Sequence, residues 1–353
     1  MGLLQSILFA TDFQPVTQDV ARVAVQLASV FDTHVTLLNV LEPTLTDPAG
    51  LRKQREHATI NMRELVEQLA LDKVVVDEST IGVGSPVATI VRKAEEMAAD
   101  LILIGTGETS RYGRPAGPTA EAILQHAFQP VLAVRPGEPA VGFHQILCPV
   151  DHSNVSRRGL QNAIRLARAF QGNVVVLSVA PGWLVGATRE QEQKWRDELD
   201  RFLQGLDLDK VSWQREIRTG VPHKEIIAAA RSFQADVIVM GSTGRTGMAR
   251  ILMGSVTRRV LQRLPCSILT VKTEDVVDEL FEEDVRAINL FLAEGRELLG
   301  AGRHAEAAAK FRQVLLQNPF QVAALENLAD AYTQLGRAED AARYRRRAKA
   351  LHT

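Results

Sequence analysis

The sequence predicts two α/β domains, each a doubly wound parallel five-stranded sheet, followed by an all-α helical-repeat segment. Three observations predict it. The first 273 residues contain an internal duplication. Their strands lack polar alternation and are separated by helical patterns, as in sheets covered on both faces. The C-terminal end holds a second, shorter repeat with a period of 34 residues.

Taken in order, residues 4–12 (LQSILFATD) parallel residues 143–151 (FHQILCPVD), an apolar strand ending on Asp12 or Asp151. Helical patterns follow at Val16–Phe31 and Val155–Phe170, with apolar residues three and four apart. Second strands are His34–Val40 and Asn173–Val179, both β-branched and almost wholly apolar. Residues 84–105 then run beside 220–241: turn, helix, an Ala-Asp pair and a buried strand stopping at glycine. Val131–Val134 and Ser267–Val271 are the last strands. The predicted domains are 1–138 and 142–273. The short join Arg135–Val141, with two prolines and a glycine, implies packed domains and not a flexible string.

After an acidic stretch, Glu274–Asp284, the segment Gly302-Arg303-His304-Ala305-Glu306-Ala307-Ala308 recurs as Gly336-Arg337-Ala338-Glu339-Asp340-Ala341-Ala342. Leu298 and Tyr332 share one register, Ala307 and Ala341 another. Glycine ends the first helix of each pair and small residues let helices approach closely. This resembles the tetratricopeptide repeat family over about 288–353, within a predicted segment 283–353. Two repeats bury too little by themselves and are expected to pack on the α/β body or another subunit. The resemblance implies an unidentified protein partner.

Composition narrows the function classes. Of 353 residues, 46% are hydrophobic and 24% charged, which excludes a mainly disordered chain. Lys and Arg number 41 against 42 Asp and Glu, so the net charge of −1 gives no basis for nucleic-acid or acidic-membrane binding. Two distant cysteines, Cys148 and Cys266, exclude a disulfide scaffold and a CxxC site. No apolar run is long enough to span a bilayer, and the N-terminus lacks signal-peptide features. A cytoplasmic location is expected. Gly2 matches a myristoylation pattern, but the strand read at Leu4–Ala10 leaves it little freedom as a tether. The sequon Asn154-Val155-Ser156 matters only in a secreted protein.

In an open parallel sheet, ligands bind beyond the carboxyl ends of the strands, where strand order reverses. Three elements of the second domain converge there: Asp151, the loop Gly241-Ser242-Thr243-Gly244, and Gly254-Ser255 opening a helix over Val256–Leu264. The glycines permit close backbone approach. A helix start offers unpaired N–H groups to phosphate oxygens, and Ser255 adds a hydroxyl. Asp151 accepts from a sugar hydroxyl or base amine. Read alone, Asp151 serves equally as a helix cap and glycines after strands as turns. The full spacing G-x2-G-x9-G-S, with a strand before and a helix after, favours nucleotide binding.

That spacing is the ATP-binding motif of the universal stress protein family. Met240–Pro265, Pro149-Val150-Asp151 and the strand ending at Val179 also resemble that family, and the likeness spans both α/β domains. It implies a Rossmann-like fold of that type, paired through final strands as a dimer within one polypeptide. It implies ATP, with Mg2+, held by Asp151, Val179, Gly241, Gly244, Gly254 and Ser255. Pro149, Val150, Thr243, Val256 and Thr257 are further lining candidates. Domain one departs from the pattern: Glu108 stands where Gly244 does, the loop is one residue shorter, and Gly117-Pro118 replaces Gly254-Ser255. A carboxylate near phosphate and a proline without N–H argue for a structural partner. A differently shaped but working site is the alternative.

Nothing in the sequence indicates a dedicated enzyme. It has no Walker loop, G-x-S-x-G elbow, HExxH or kinase motif set. Asp151-His152-Ser153 are consecutive, whereas triads are spatial, so a turn or helix cap is favoured. His126 and His223 show no metal-ligand spacing, and Arg343-Tyr344-Arg345-Arg346-Arg347 reads as a solvated basic helix face. The resulting expectation is an ATP-binding, nucleotide-responsive regulatory or chaperone-like protein with an interaction module. A nucleotide-free scaffold and a weak ATPase are the rivals. Oligomerisation beyond the internal pseudo-dimer is left open.

Overall fold

The computed structural model describes residues 4–42, 48–107, 116–137, 143–180, 189–242, 253–272, 291–317 and 322–350. The chain divides into two compact units, Met1–Thr273 and Glu274–Thr353. Gly2, Thr243, Gly244, Glu108 and the acidic stretch lie outside the described residues.

In the first unit, β1 (Ser6–Ala10), β2 (His34–Leu41), β4 (Leu101–Gly105) and β5 (Val131–Val134) are short apolar runs buried on both faces. The second half repeats them as β6 (Gln145–Val150), β7 (Asn173–Ala180), β9 (Val237–Gly241) and β10 (Ser267–Val271). β3 (Val76–Val83) and β8 (Ser212–Thr219) are largely exposed and carry charges, because they form the two outer edges. The order across the sheet is β3-β2-β1-β4-β5-β10-β9-β6-β7-β8.

The two five-stranded sheets expected from the sequence are therefore one sheet of ten strands. β5 and β10 join antiparallel, with Leu132 opposite Leu269, Val131 opposite Thr270 and Ala133 opposite Ile268; every other pairing is parallel. Both strands are wholly buried, and apolar apart from Ser267 and Thr270 of β10. Left open, each would present unpaired backbone groups on an apolar edge, and pairing them removes both liabilities. The internal pseudo-dimer is built on this seam. The join is pinned as well: Arg135 N–H donates to Ser267 Oγ (3.1 Å), the Arg135 guanidinium to the Pro265 carbonyl, and Gly137 N–H to Asp19 Oδ2 (3.2 Å).

Helices cover both faces. α1 (Thr17–Phe31), α2 (Pro48–Leu71), α5 (Asn154–Phe170) and α6 (Arg189–Leu203) bury one apolar layer, in which Phe170 meets Phe31 and Phe143 edge-on at 6.1 and 4.9 Å. α3 (Pro86–Glu96), α4 (Pro118–His126), α7 (Pro222–Ser232) and α8 (Ser255–Leu261) bury the other. None of the described helices is long and apolar enough to cross a membrane.

The duplication persists in the backbone where side chains have diverged. Positive φ values recur at Phe13 and His152, Asp32 and Gln171, Lys73 and Lys210, Gly84 and Gly220, and Ala98 and Gln234. The Ala-Asp pairs have a matching purpose. Asp100 Oδ2 accepts the N–H groups of Gln5 and Ser6 (2.8 and 2.9 Å), and Asp236 Oδ2 those of His144 and Gln145 (2.8 and 2.7 Å). Each carboxylate satisfies the amides where a central strand begins.

In the second unit, helical residues 291–300 (α9), α10 (His304–Gln317), α11 (Val322–Gln334) and α12 (Ala338–Ala350) pack around Phe311, Leu328 and Tyr332. Gly302 and Gly336 carry φ of 75° and 72°, the left-handed geometry that ends a helix, followed by Arg303 N–H to Leu298 O and Arg337 N–H to Tyr332 O (both 2.9 Å). Arg303 pairs with Glu306 and Arg337 with Asp340, so the 34-residue period holds in caps and ion pairs alike. In the basic run of α12, Arg345 pairs with Asp330 on α11 (3.0 Å).

Candidate functional site

Strand order reverses between β6 and β9 in the second half and between β1 and β4 in the first. Each reversal opens a crevice at the carboxyl ends of the strands.

In the second half, Pro149 and Val150 are the buried last residues of β6, facing Leu177 and Ser178 of β7. Asp151 follows at once. Its Oδ1 accepts Ser153 N–H (3.1 Å) and the Ser153 hydroxyl (2.5 Å), while Ser153 Oγ accepts Ser156 N–H (3.2 Å) as the N-cap of α5. Val179, partly buried, lies near the end of β7 and packs on the α7–α8 layer. Gly241 ends β9 opposite Val271. Gly254 is the N-cap of α8, and its N–H closes the intervening loop onto Ser242 O (2.6 Å). Ser255 is exposed at the first position of α8, and Val256 is partly buried. Thr257 is buried and donates its hydroxyl to Gly241 O (3.1 Å), tying α8 to β9. Among the described residues, Asp151, Gly241, Gly254 and Ser255 thus stand at the same end of the sheet.

His152 is turned away from them. With φ of 66° its Nε2 meets Ser178 Oγ (3.3 Å), which also accepts Trp195 Nε1–H (3.1 Å). The imidazole lies 5.4 Å from the rings of Trp195 and Phe202, in the α5–α6 layer on the opposite face from Val179. Asp151-His152-Ser153 is a strand-to-helix turn with a capping serine. Burial pushes the Cys148 thiol far above its ordinary range, leaving it no nucleophilic thiolate. The described residues include no cluster of three or more His, Cys, Asp and Glu that could hold a metal ion.

On α7 and around α8, the His223 pKa is lowered by burial and then by Arg259, Arg263 and Lys224, so cations crowd that surface. The first half has a cavity of about 430 Å3 at its own reversal point, lined by Asp12, Val40, Gly105, Thr106, Gly107, Gly117 and Pro118 among others. Its described lining contains Asp12 and Glu42 and no Lys, Arg or His. Gly117 N–H closes the loop onto Thr106 O (2.7 Å), as Gly254 does onto Ser242 O. Sequence reasoning favoured a structural partner for this half, with a differently shaped but working site as the alternative, and the structure shows that a cavity is present. The signal was present in Asp12, Val40 and Gly105, which match Asp151, Val179 and Gly241. Losing Gly-Ser for Gly117-Pro118 removes phosphate donors without filling the space.

A model of the universal stress protein family matches residues 4–135 and again 142–272. A universal stress protein of Mycolicibacterium smegmatis is 28% identical over 290 residues, covering 75% of this chain and 96% of its own. Universal stress protein MJ0531 of Methanocaldococcus jannaschii is 37% identical over 142 residues, 37% of this chain and 82% of its own length. Among solved structures, a universal stress protein from Archaeoglobus fulgidus superposes with a TM-score of 0.61 at 20% identity, covering 77% of this chain and 98% of that one. One from Pseudomonas aeruginosa gives 0.60 at 23% identity, covering 79% and 97%. At these identities the structures speak to the fold alone.

Proposed function

Because the chain belongs to the universal stress protein family and carries its fold twice, we propose that it is a nucleotide-responsive regulatory protein that binds ATP in its second half. The observation that carries this reading is the spacing G-x2-G-x9-G-S, whose first glycine ends β9 and whose last glycine caps α8. Ser255, Val256 and Thr257 open α8 with N–H groups that have no acceptor inside the helix, suited to phosphate oxygens. The nucleotide enters with Mg2+, which balances part of the phosphate charge. Asp151 accepts ribose hydroxyls, Val179 meets the base, Gly244 and Thr243 complete the phosphate loop, and Pro149 and Val150 form the floor.

The nucleotide acts here as a ligand. Phosphoryl transfer needs a nucleophile aligned with the terminal phosphoryl group. The imidazole that follows Asp151 in the chain, His152, is held by Ser178 on the other face of the sheet. ATP then shifts a conformational equilibrium by its differential affinity for two states. The C-terminal helices, read as two tetratricopeptide-like repeats, recruit a protein partner. Denaturing the purified protein and chromatographing the released small molecules tests the reading, followed by ATP titration of the stripped protein. One adenine nucleotide per chain is expected. Absence of released nucleotide together with no ATP binding favours the scaffold reading. Turnover at roughly one per second or faster, lost in Asp151→Ala, makes the protein an ATPase.

A further inference from the structure

We propose that the outer face of α7 and α8 is an interaction surface, and that it docks a short acidic segment of a partner protein. Inward, the two helices bury Ile226, Ala230, Val260 and Leu261 in one apolar layer. Outward they present Lys224, Arg231, Arg258 and Arg259, with Arg263 just past the end of α8, all exposed. None of these cations has an ion-pair partner among the described residues.

The first half supplies an internal control. Residues 84–105 run beside 220–241, and Gly117-Pro118 beside Gly254-Ser255, so each position has a counterpart on α3 or α4. The buried counterparts stay apolar: Ile90, Ala94, Ile123 and Leu124. The outward counterparts, in the same order as the cations, are Ala88, Glu95, Glu121, Ala122 and His126. The cations that α3 does carry, Arg92 and Lys93, are paired with Glu96 and Glu78 (2.9 and 2.7 Å). The same helix pair therefore folds without the cations of α7 and α8, which repel one another where they stand. His223 lies close enough to feel Arg259, Arg263 and Lys224, which with burial lower its pKa. Unpaired guanidinium groups gathered on one face, with no use in the fold, suit an anionic partner.

The field is also narrow. Elsewhere in the second half Arg215 pairs with Asp200, Arg168 with Asp207 and Arg218 with Glu216. A nucleic-acid strand gains from a long basic stripe. A few carboxylates on a peptide suit two helices, because each can take a guanidinium fork. Val221, 45% exposed at the N-cap of α7, adds an apolar contact that a peptide side chain can cover.

The test is fluorescence anisotropy of a labelled glutamate-rich peptide containing leucine, titrated with the full-length protein at low salt. Binding is expected with a dissociation constant of roughly 100 μM or tighter, weakening as salt is raised. Arg258→Glu, Arg259→Ala and Arg263→His together install the residues found at the same positions of the first half, so the fold should be kept. This triple variant should bind the peptide about tenfold more weakly. Lys224→Ala with Arg231→Glu, chosen in the same way, should act in the same direction. ATP binding should be unchanged in both, which separates this face from the nucleotide site proposed above. No peptide binding by the wild type overturns the proposal, as does binding indifferent to both sets of substitutions. Loss of ATP affinity in step with peptide affinity assigns the cations to nucleotide and overturns it too. Tighter binding of oligothymidylate or of phosphatidylserine vesicles than of the peptide gives the face to another class of partner. Peptide binding seen only after the acidic residues of 274–284 are replaced by their amides gives it to this chain; either result overturns the proposal.

Discussion

Lys272 follows the last residue of β10 and donates its ammonium to the carbonyl of Gln125 (2.8 Å) across the seam between halves. Burial pulls its pKa down to about 8. An unfolded lysine titrates near 10.4. Below about pH 8 both states are protonated and the fold carries the full cost of the buried charge. Between about 8 and about 10.4 the unfolded chain binds more protons than the folded one, so stability rises with pH. Lys272→Met should therefore stabilise the protein at neutral pH by about 1–2 kcal/mol, after allowance for residual solvent access. That advantage should shrink to nothing by about pH 10.4, as chemical denaturation at a series of pH values would reveal. A gain independent of pH would show that packing, not charge, is responsible. Such cross-seam contacts are invisible to local sequence reading, as is the link from His152 to Ser178 and Trp195. The positions of Asp151, Gly254 and Ser255, just past one strand end and at one helix start, were legible because they depend on short spacings.

At the scale of elements, the central strands were legible because burial on both faces writes them as apolar runs. β3 and β8 were not, since VDESTIGV and SWQREIRT lie at outer edges and keep solvent-facing charges. The joining of two sheets into one was equally hidden, because Val131–Val134 and Ser267–Val271 read the same whether an edge is open or paired. Leu132 and Leu269 sit opposite each other at the centre of that seam, both nearly fully buried. Leu132→Lys forces an unpaired ammonium into this position, which costs about 3 kcal/mol or more. All three tryptophans fall in the second half. Their fluorescence and the hydrogen exchange of β1 amides therefore report separate halves. In the wild type the two probes should lose structure together in urea; in Leu132→Lys they should separate. Coincident transitions in the variant would show that the continuous helix-covered layers, and not the strand seam, couple the halves.

For the whole molecule, two halves share one backbone pattern but the second alone carries the spacing G-x2-G-x9-G-S, and this predicts ATP binding at one site per chain. The contrast can be tested without disturbing the fold. Gly254 and Gly117 hold φ, ψ of −69°, 152° and −67°, 160°, extended values that valine adopts readily. Each donates its N–H to the loop it closes, a bond valine retains. Gly254→Val sets a branched side chain where phosphates must approach the start of α8, so it should abolish the stabilisation ATP provides. That stabilisation is about 2.7 kcal/mol at a hundredfold excess of ligand over its dissociation constant. Gly117→Val, beside Asp12 and Glu42, should leave it intact. Removing residues 283–353 should also leave it intact, since the sheet and both its crevices lie wholly within Met1–Thr273. Thermal unfolding with and without ATP, supported by calorimetric stoichiometry, reads all three variants. Equal losses from the two valine substitutions, or two ATP sites per chain, would mean that Gly117-Pro118 in place of Gly254-Ser255 does not exclude phosphate.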